Sequence, residues 1–216
     1  MSTNQFTGKP ALLLLLSALF LAASGLPVKA QSLWLQDNPH SKAMFCVGHD
    51  NIGSVTGWFN NMNSTLKYDG KNLKTAAVSA KIFVSSLNTG FEMRDQHLRS
   101  ANFFDQQKYP EITFQSTSIT PGPANKFKMT GDLTIRGKKK SVTLDCIGPK
   151  GPVVGDNEKT RIGIKASTRL NRRDFDFNWT REVSPGVFMV QDDVDVTLEL
   201  EYVQLGKKKN KATAGR

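Results

Sequence analysis

The sequence predicts an all-β protein, an antiparallel sandwich or barrel of about eight strands interrupted by one short helix. Three observations carry this. From Trp34 onward, short runs alternate apolar and polar residues, the period of a strand with one buried face. Turn residues punctuate the runs at Asn51 to Gly53, Asp69-Gly70, Pro121-Gly122-Pro123 and Arg136-Gly137-Lys138. Only two stretches lose the rhythm.

Taken in order, Phe45, Val47 and His49 share a face, with Met44, Cys46 and Gly48 on the other. Val55, Gly57 and Phe59 form the next face, and Val78, Ala80, Ile82 and Val84 the one after, with Lys81 turned out. Ile112 and Phe114 continue the pattern. Phe127, Met129, Gly131, Leu133 and Ile135 make a long strand, and Val142, Leu144 and Cys146 return from it. A Gly- and Pro-rich loop is expected over 148–156. Ile162, Ile164 and Ala166, then Val194, Val196, Leu198, Leu200 and Tyr202, complete the wall. The first irregular stretch, 89–101, places Met93, His97 and Ala101 at a spacing of four and reads as a helix. The second, 167–181, is dense in Arg, Asp and aromatic residues. Small inward residues such as Gly57, Ala80, Ser116, Gly131 and Ala166 favour a hollow interior.

Residues 1–30 read as a cleavable secretory signal peptide outside the fold. Lys9 begins it, an apolar run follows from Ala11 to Ala23, and Val28-Lys29-Ala30 sets small residues before Gln31. The expected fate is therefore export. The net charge of +10 is concentrated in part at the other end, in Lys207-Lys208-Lys209 and Lys211. That tail, 206–216, has the composition of a disordered segment and could touch an anionic membrane surface. Nucleic acid is a poor partner for an exported chain with no basic, aromatic-laced face. Strand parity sets Cys46 and Cys146 on opposite faces of the wall, which opposes a disulfide between them.

The motifs resemble those of the YceI-like family of exported polyisoprenoid-binding proteins. The matching residues are Asp37-x-x-His40-Ser41, Phe45-x-Val47-x-His49 and Val55-x-Gly57-x-Phe59. They continue in Ser86-Leu87-x-Thr89, Arg94-Asp95-x-His97-Leu98-x-Ser100 and Phe103-Phe104-Asp105. Tyr109-Pro110-x-Ile112-x-Phe114, Gly131-Asp132-Leu133-Thr134-Ile135-Arg136-Gly137 and Asn171-Arg172 complete the set. Each is weak alone, but together they run in register from Trp34 to Val203. The resemblance implies an extended, lipocalin-like, eight-stranded antiparallel barrel with the short helix at its mouth. Residues 31–205 would then form one lipid-binding domain. It also implies a location in the periplasm and an isoprenoid chain, on a polyprenyl phosphate or a quinone, held in the hollow.

A prenyl chain asks for an apolar tunnel and few directional contacts. The expected lining is Phe45, Val47, Val55, Phe59, Ile82, Val84, Phe114, Met129, Leu133, Ile164 and Val196. Arg94 and His97, with Asp95 and Arg99, could meet a polar headgroup, since Arg matches phosphate through its fork. Arg94–Asp95 and Arg172–Asp174 could equally pin chain segments to the rim. His49, on an apolar face, reads as a hydrogen-bonded core residue or a ligand contact. His40, His49 and His97 lack the close spacing of a helical metal motif, and no P-loop, dinucleotide fingerprint or nucleophile elbow occurs. The expectation is a binding protein that is not an enzyme and carries no cofactor beyond its lipid. An enzyme acting on isoprenoid lipids and a filled barrel serving as an interaction module are the alternatives.

Overall fold

A computed structural model describes Met1 and residues 31–155 and 158–206. Apart from Met1, the expected signal peptide lies outside the described residues, as does the tail from residue 207. The first stave of the wall is β1 (Ser32–Gln36) and β2 (Lys42–His49), joined by a 3₁₀ turn at Asn38–His40. The second is β3 (Gly53–Phe59) with β4 (Met62–Tyr68), and the third β5 (Ala77–Phe83) with β6 (Leu87–Asn88). Helix α1 (Glu92–Arg99) follows. Then come β7 (Glu111–Pro121), β8 (Lys126–Ile135), β9 (Lys138–Val154) and β10 (Thr160–Asn171). A hairpin, β11 (Glu182–Ser184) and β12 (Val187–Phe188), precedes the last stave, β13 (Val190–Gln204). Each stave pairs antiparallel with the next, and β13 closes the ring by pairing with both β1 and β2. The fold is a closed eight-stave meander.

The alternation expected from the sequence is the alternation of the wall. Along β8, Phe127, Met129, Gly131 and Ile135 are buried, while Lys126 and Lys128 face solvent. The turn between β8 and β9 is the tight one that Arg136-Gly137 announces, with both residues at positive φ, 52° and 72°. Where the wall breaks between β1 and β2, the Asp37 N–H donates to the Glu201 carbonyl at 2.8 Å, and Arg161 ties Asp37 to Glu201 on the outside.

Several local expectations are corrected. The Gly- and Pro-rich stretch is not a loop: β9 runs through it to Val154, with register shifts against β10 that absorb Pro149 and Pro152. Val84 does not extend the β5 face. The strand ends at Phe83, and Val84 opens a 3₁₀ turn whose N–H donates to the Pro110 carbonyl. The helix is shorter than 89–101, because Gly90 turns at a φ of 78° and Phe91 and Ser100, which flank the helix, are extended. Gly131 leaves no room for a ligand. A Cβ there would lie 2.4 Å from Phe114 Cζ and 2.6 Å from the Gln115 carbonyl oxygen, so a neighbouring aromatic ring already fills the space. Gly57 is covered by Phe45 in the same way. Cys46 and Cys146 are both free, as strand parity suggested.

Two clusters of buried side chains cap the interior. Trp34, Leu66, Phe127, Cys146, Ile162 and Tyr202 are among those that pack the base, where the described chain begins and ends. Phe59, Met62, Phe103, Ile135, Phe175 and Phe177 are among those that pack the other end, under α1.

Candidate functional site: an apolar cavity inside the barrel

Between the two clusters the barrel is hollow. A cavity of about 230 Å³ runs down the interior, and every wall stave contributes to it. On β13 its lining reaches from Val190 to Tyr202. Twelve residues of strand span roughly 40 Å, or roughly 30 Å along the axis at a tilt of about 40°. The lining is almost wholly aliphatic and aromatic. Its polar side chains are Ser64, Thr113, Thr168, Arg172 and Tyr202.

Nine of the residues expected to line the hollow do so: Phe45, Val47, Phe59, Ile82, Phe114, Met129, Leu133, Ile164 and Val196. Two apolar ones do not. Val55 pairs with Val47 near the rim and is half-buried, and Val84 is packed into the mouth cluster. His49 also lies off the lining. The β2–β13 register slips between Val47 and His49, and the His49 ring turns to Asp50, 3.2 Å away, with 40% of its side chain exposed.

Arg94, Asp95 and Arg99 hold the helix rather than open towards the cavity. Asp95 is buried and accepts from the Thr89 amide at 2.9 Å and the Thr89 hydroxyl at 2.6 Å. Arg94 donates to the Thr89 hydroxyl and carbonyl, and Arg99 to the Leu87 carbonyl. These bonds pull α1 down onto the segment after β6. Pinning thus accounts for Arg94–Asp95, one of the two roles the sequence allowed.

The mouth is roofed by rings. Phe104 lies 5.8 Å from Phe59 and 4.9 Å from Phe177, and Phe103 lies 5.3 Å from Trp179. His97 sits on this roof with its edge to Phe103 and Trp179, 5.0 and 5.4 Å away, and is exposed. Edge-to-face contacts of this kind contribute about 0.5–1.5 kcal/mol each beyond the area they bury. The roof comes from the two stretches that break the alternation and from Phe103 and Phe104, just after the first of them. Arg136 ties them together, donating to the Ala101 carbonyl on one side and the Asp176 carbonyl on the other.

Arg172, the cation on the lining, was expected to pair with Asp174. Asp174 instead faces Lys140, and Arg172 reaches Asp192 at 2.8 Å. Its Nε donates to the Gln191 carbonyl, Nη1 to Phe177 and Trp179, and Nη2 to Val190. Five acceptors meet five N–H groups, which is all that a guanidinium has. Burial, with Arg173 adjacent, pulls its pKa below the ordinary value.

The sequence reading missed the floor. Tyr202 is fully buried, and its hydroxyl lies 2.7 Å from the buried Ser64 hydroxyl. Burial pushes the Tyr202 phenol up to about 12. Cys146 packs in the same cluster, and burial likewise raises its thiol to about 12. Phe175, Phe177 and Trp179 were also missed as cavity and roof residues, although their spacing of two was the available signal. Outside the barrel, Asp37, His40 and Glu201 bring ligand atoms together, but the Arg161 guanidinium already pairs with both acids.

With this geometry in view, the relatives decide the family. The YceI-like domain profile matches residues 34–202. The chain belongs to the YceI-like family. It is 31% identical over 198 residues to protein YceI of Escherichia coli O157:H7, covering 91% of this chain and 98% of that one. The crystal structure of a YCEI protein from Campylobacter jejuni is similar, with 29% identity, a TM-score of 0.65 and coverage of 74% and 90%. A polyisoprenoid binding domain from Saccharophagus degradans shares the barrel at 14% identity, with a TM-score of 0.58 and coverage of 81% and 99%.

Proposed function

We propose that this YceI-like protein is an exported lipid-binding protein that holds an isoprenoid chain inside the barrel as a carrier or store. The observation that carries the reading is the long, almost wholly apolar cavity inside the barrel. Such a cavity suits a linear run of prenyl units, since each buried CH₂ contributes about 0.8 kcal/mol before the cost of ordering the chain. The polyisoprenoid binding domain of Saccharophagus degradans, on the same fold, supports the same ligand class. The reading is of a binding protein rather than an enzyme. His40, His49 and His97 all lie off the lining, so none is placed to act as acid or base on a chain held there. The signal-peptide pattern in residues 1–30 supports export to the periplasm.

The test is extraction of the purified full-length protein with organic solvent, followed by mass spectrometry, and addition of prenyl lipids to the stripped protein. A co-purifying prenyl lipid, or saturable binding on addition, is expected. Neither one occurring would remove the reading. Release of an added lipid with altered mass would replace the carrier by an enzyme.

A further inference from the structure

The geometry points to an oriented ligand: a neutral amphiphile with a carbonyl or hydroxyl oxygen at one end, bound polar end first, with that oxygen accepting a hydrogen bond from the Ser64–Tyr202 pair at the floor. This deepens the proposed lipid-binding function and rests on it.

The cavity offers a polar end two places. At the mouth stands Arg172, whose five N–H groups are already taken by four backbone carbonyls and Asp192. A headgroup there would have to displace bonds that hold the roof segment. At the floor stand two hydroxyls, Ser64 and Tyr202, both on the cavity wall and only 5% and 0% exposed. Two hydroxyls carry two O–H donors. Their mutual bond uses one, and among the described residues neither makes another side-chain bond. One O–H is left at the end of an apolar cavity, where an unmatched donor is costly and a matching acceptor is favoured.

The same inventory selects the ligand. One free donor fits one neutral acceptor oxygen, as on a quinone or an alcohol. A phosphate would lose its water there against a single O–H, with no cation beside it. Among the described lining residues the only cation is Arg172, which joins the wall at the mouth end. Between a phosphate-headed and a neutral-headed prenyl lipid, the floor therefore fits the neutral one.

Four probes with one chain length separate the possibilities: a naphthoquinone carrying a geranylgeranyl chain, geranylgeraniol, geranylgeranyl phosphate and the hydrocarbon phytane. Binding is read by titration on wild type and on S64A/Y202F. The double variant removes both hydroxyls together, so no partner is stranded. It should weaken the quinone and the alcohol about fivefold, the value of one neutral hydrogen bond, and leave phytane unchanged. Orientation is read separately by quenching of tryptophan by the quinone, in W58F and W58F/W179F chains. Trp34 lies in the floor cluster and Trp179 on the roof. Quenching that survives intact in the chain retaining only Trp34 is the expected result. Quenching lost with Trp179, tighter binding of the phosphate than of the quinone, or equal weakening of phytane by S64A/Y202F would each overturn the inference while leaving lipid binding intact. Failure of all four probes to bind would overturn both.

Discussion

Gly131→Ala tests the packing of the wall at one atom. The added Cβ would sit 2.4 Å and 2.6 Å from Phe114 Cζ and Cε2, and 2.6 Å from the Gln115 carbonyl oxygen. The ring can swing away, but only into the cavity, because Phe114 is one of its lining residues. The carbonyl cannot, since it belongs to the β7–β8 ladder beside the register shift at Ser116 to Ser118. Both remedies have a cost, which sets the substitution near the top of the overpacking range, about 3 kcal/mol. For a domain of this size that corresponds to roughly 6–12 °C in Tm. Thermal melting of the lipid-free protein by circular dichroism measures it. Phe114→Ala should relieve two of the three contacts, so Gly131→Ala should cost less in that background. Gly53→Ala, with nothing within 4 Å, is the control and should melt like wild type. A Gly131→Ala melt within about 1 °C of wild type, on the scale just given, would refute the account of Phe114 as occupant of the space.

Three further outcomes are expected. Arg172→Met strands four carbonyls, while Asp192 keeps Arg173, and should lower stability by about 3–5 kcal/mol, with hydrogen exchange rising first in residues 175–179. Asp95→Ala frees Thr89, and should speed exchange of the α1 amides and lipid release while leaving the barrel strands protected, as measured by mass spectrometry. Cys146 should resist iodoacetamide at pH 8.5 in the folded protein and react once unfolded. Both Cys146 and Tyr202 are raised to about 12 from ordinary values of 9.0 and 10.0, so the unfolded chain ionises first. Stability is fully present below pH 9 and falls as pH rises towards 12, more shallowly in Cys146→Ala.

The wall was legible because its physics is local. A strand with one face inward must alternate, and Phe127, Met129 and Ile135 against Lys126 and Lys128 state that directly. Features that depend on distant partners were not legible. Ser64 reads as one more polar residue in MNSTLKY until closure of the ring brings Tyr202, 138 positions later, to its hydroxyl. Arg172 is surrounded in sequence by candidate acids, and its partner is set by how β13 crosses β10. The misreadings have the same origin. Gly148 to Pro152 carry turn chemistry, yet the ladder with β10 continues past them on bulges. Gly131 was rightly read as a demand for space, but its occupant, Phe114, came from the neighbouring strand.

The meander brings the described chain into and out of the fold side by side. The Leu205 amide donates to the Leu33 carbonyl at 2.8 Å, at the base, one barrel length from the aromatic roof. A molecule anchored to a sensor or bead through a side chain introduced at Gln31 or Gly206, both exposed, is thus held from beneath, with its opening turned towards the solution. Immobilised binding experiments on this protein can use either position, and two fluorophores placed at Gln31 and Gly206 would report on the seam where the ring closes while remaining blind to movement of the roof.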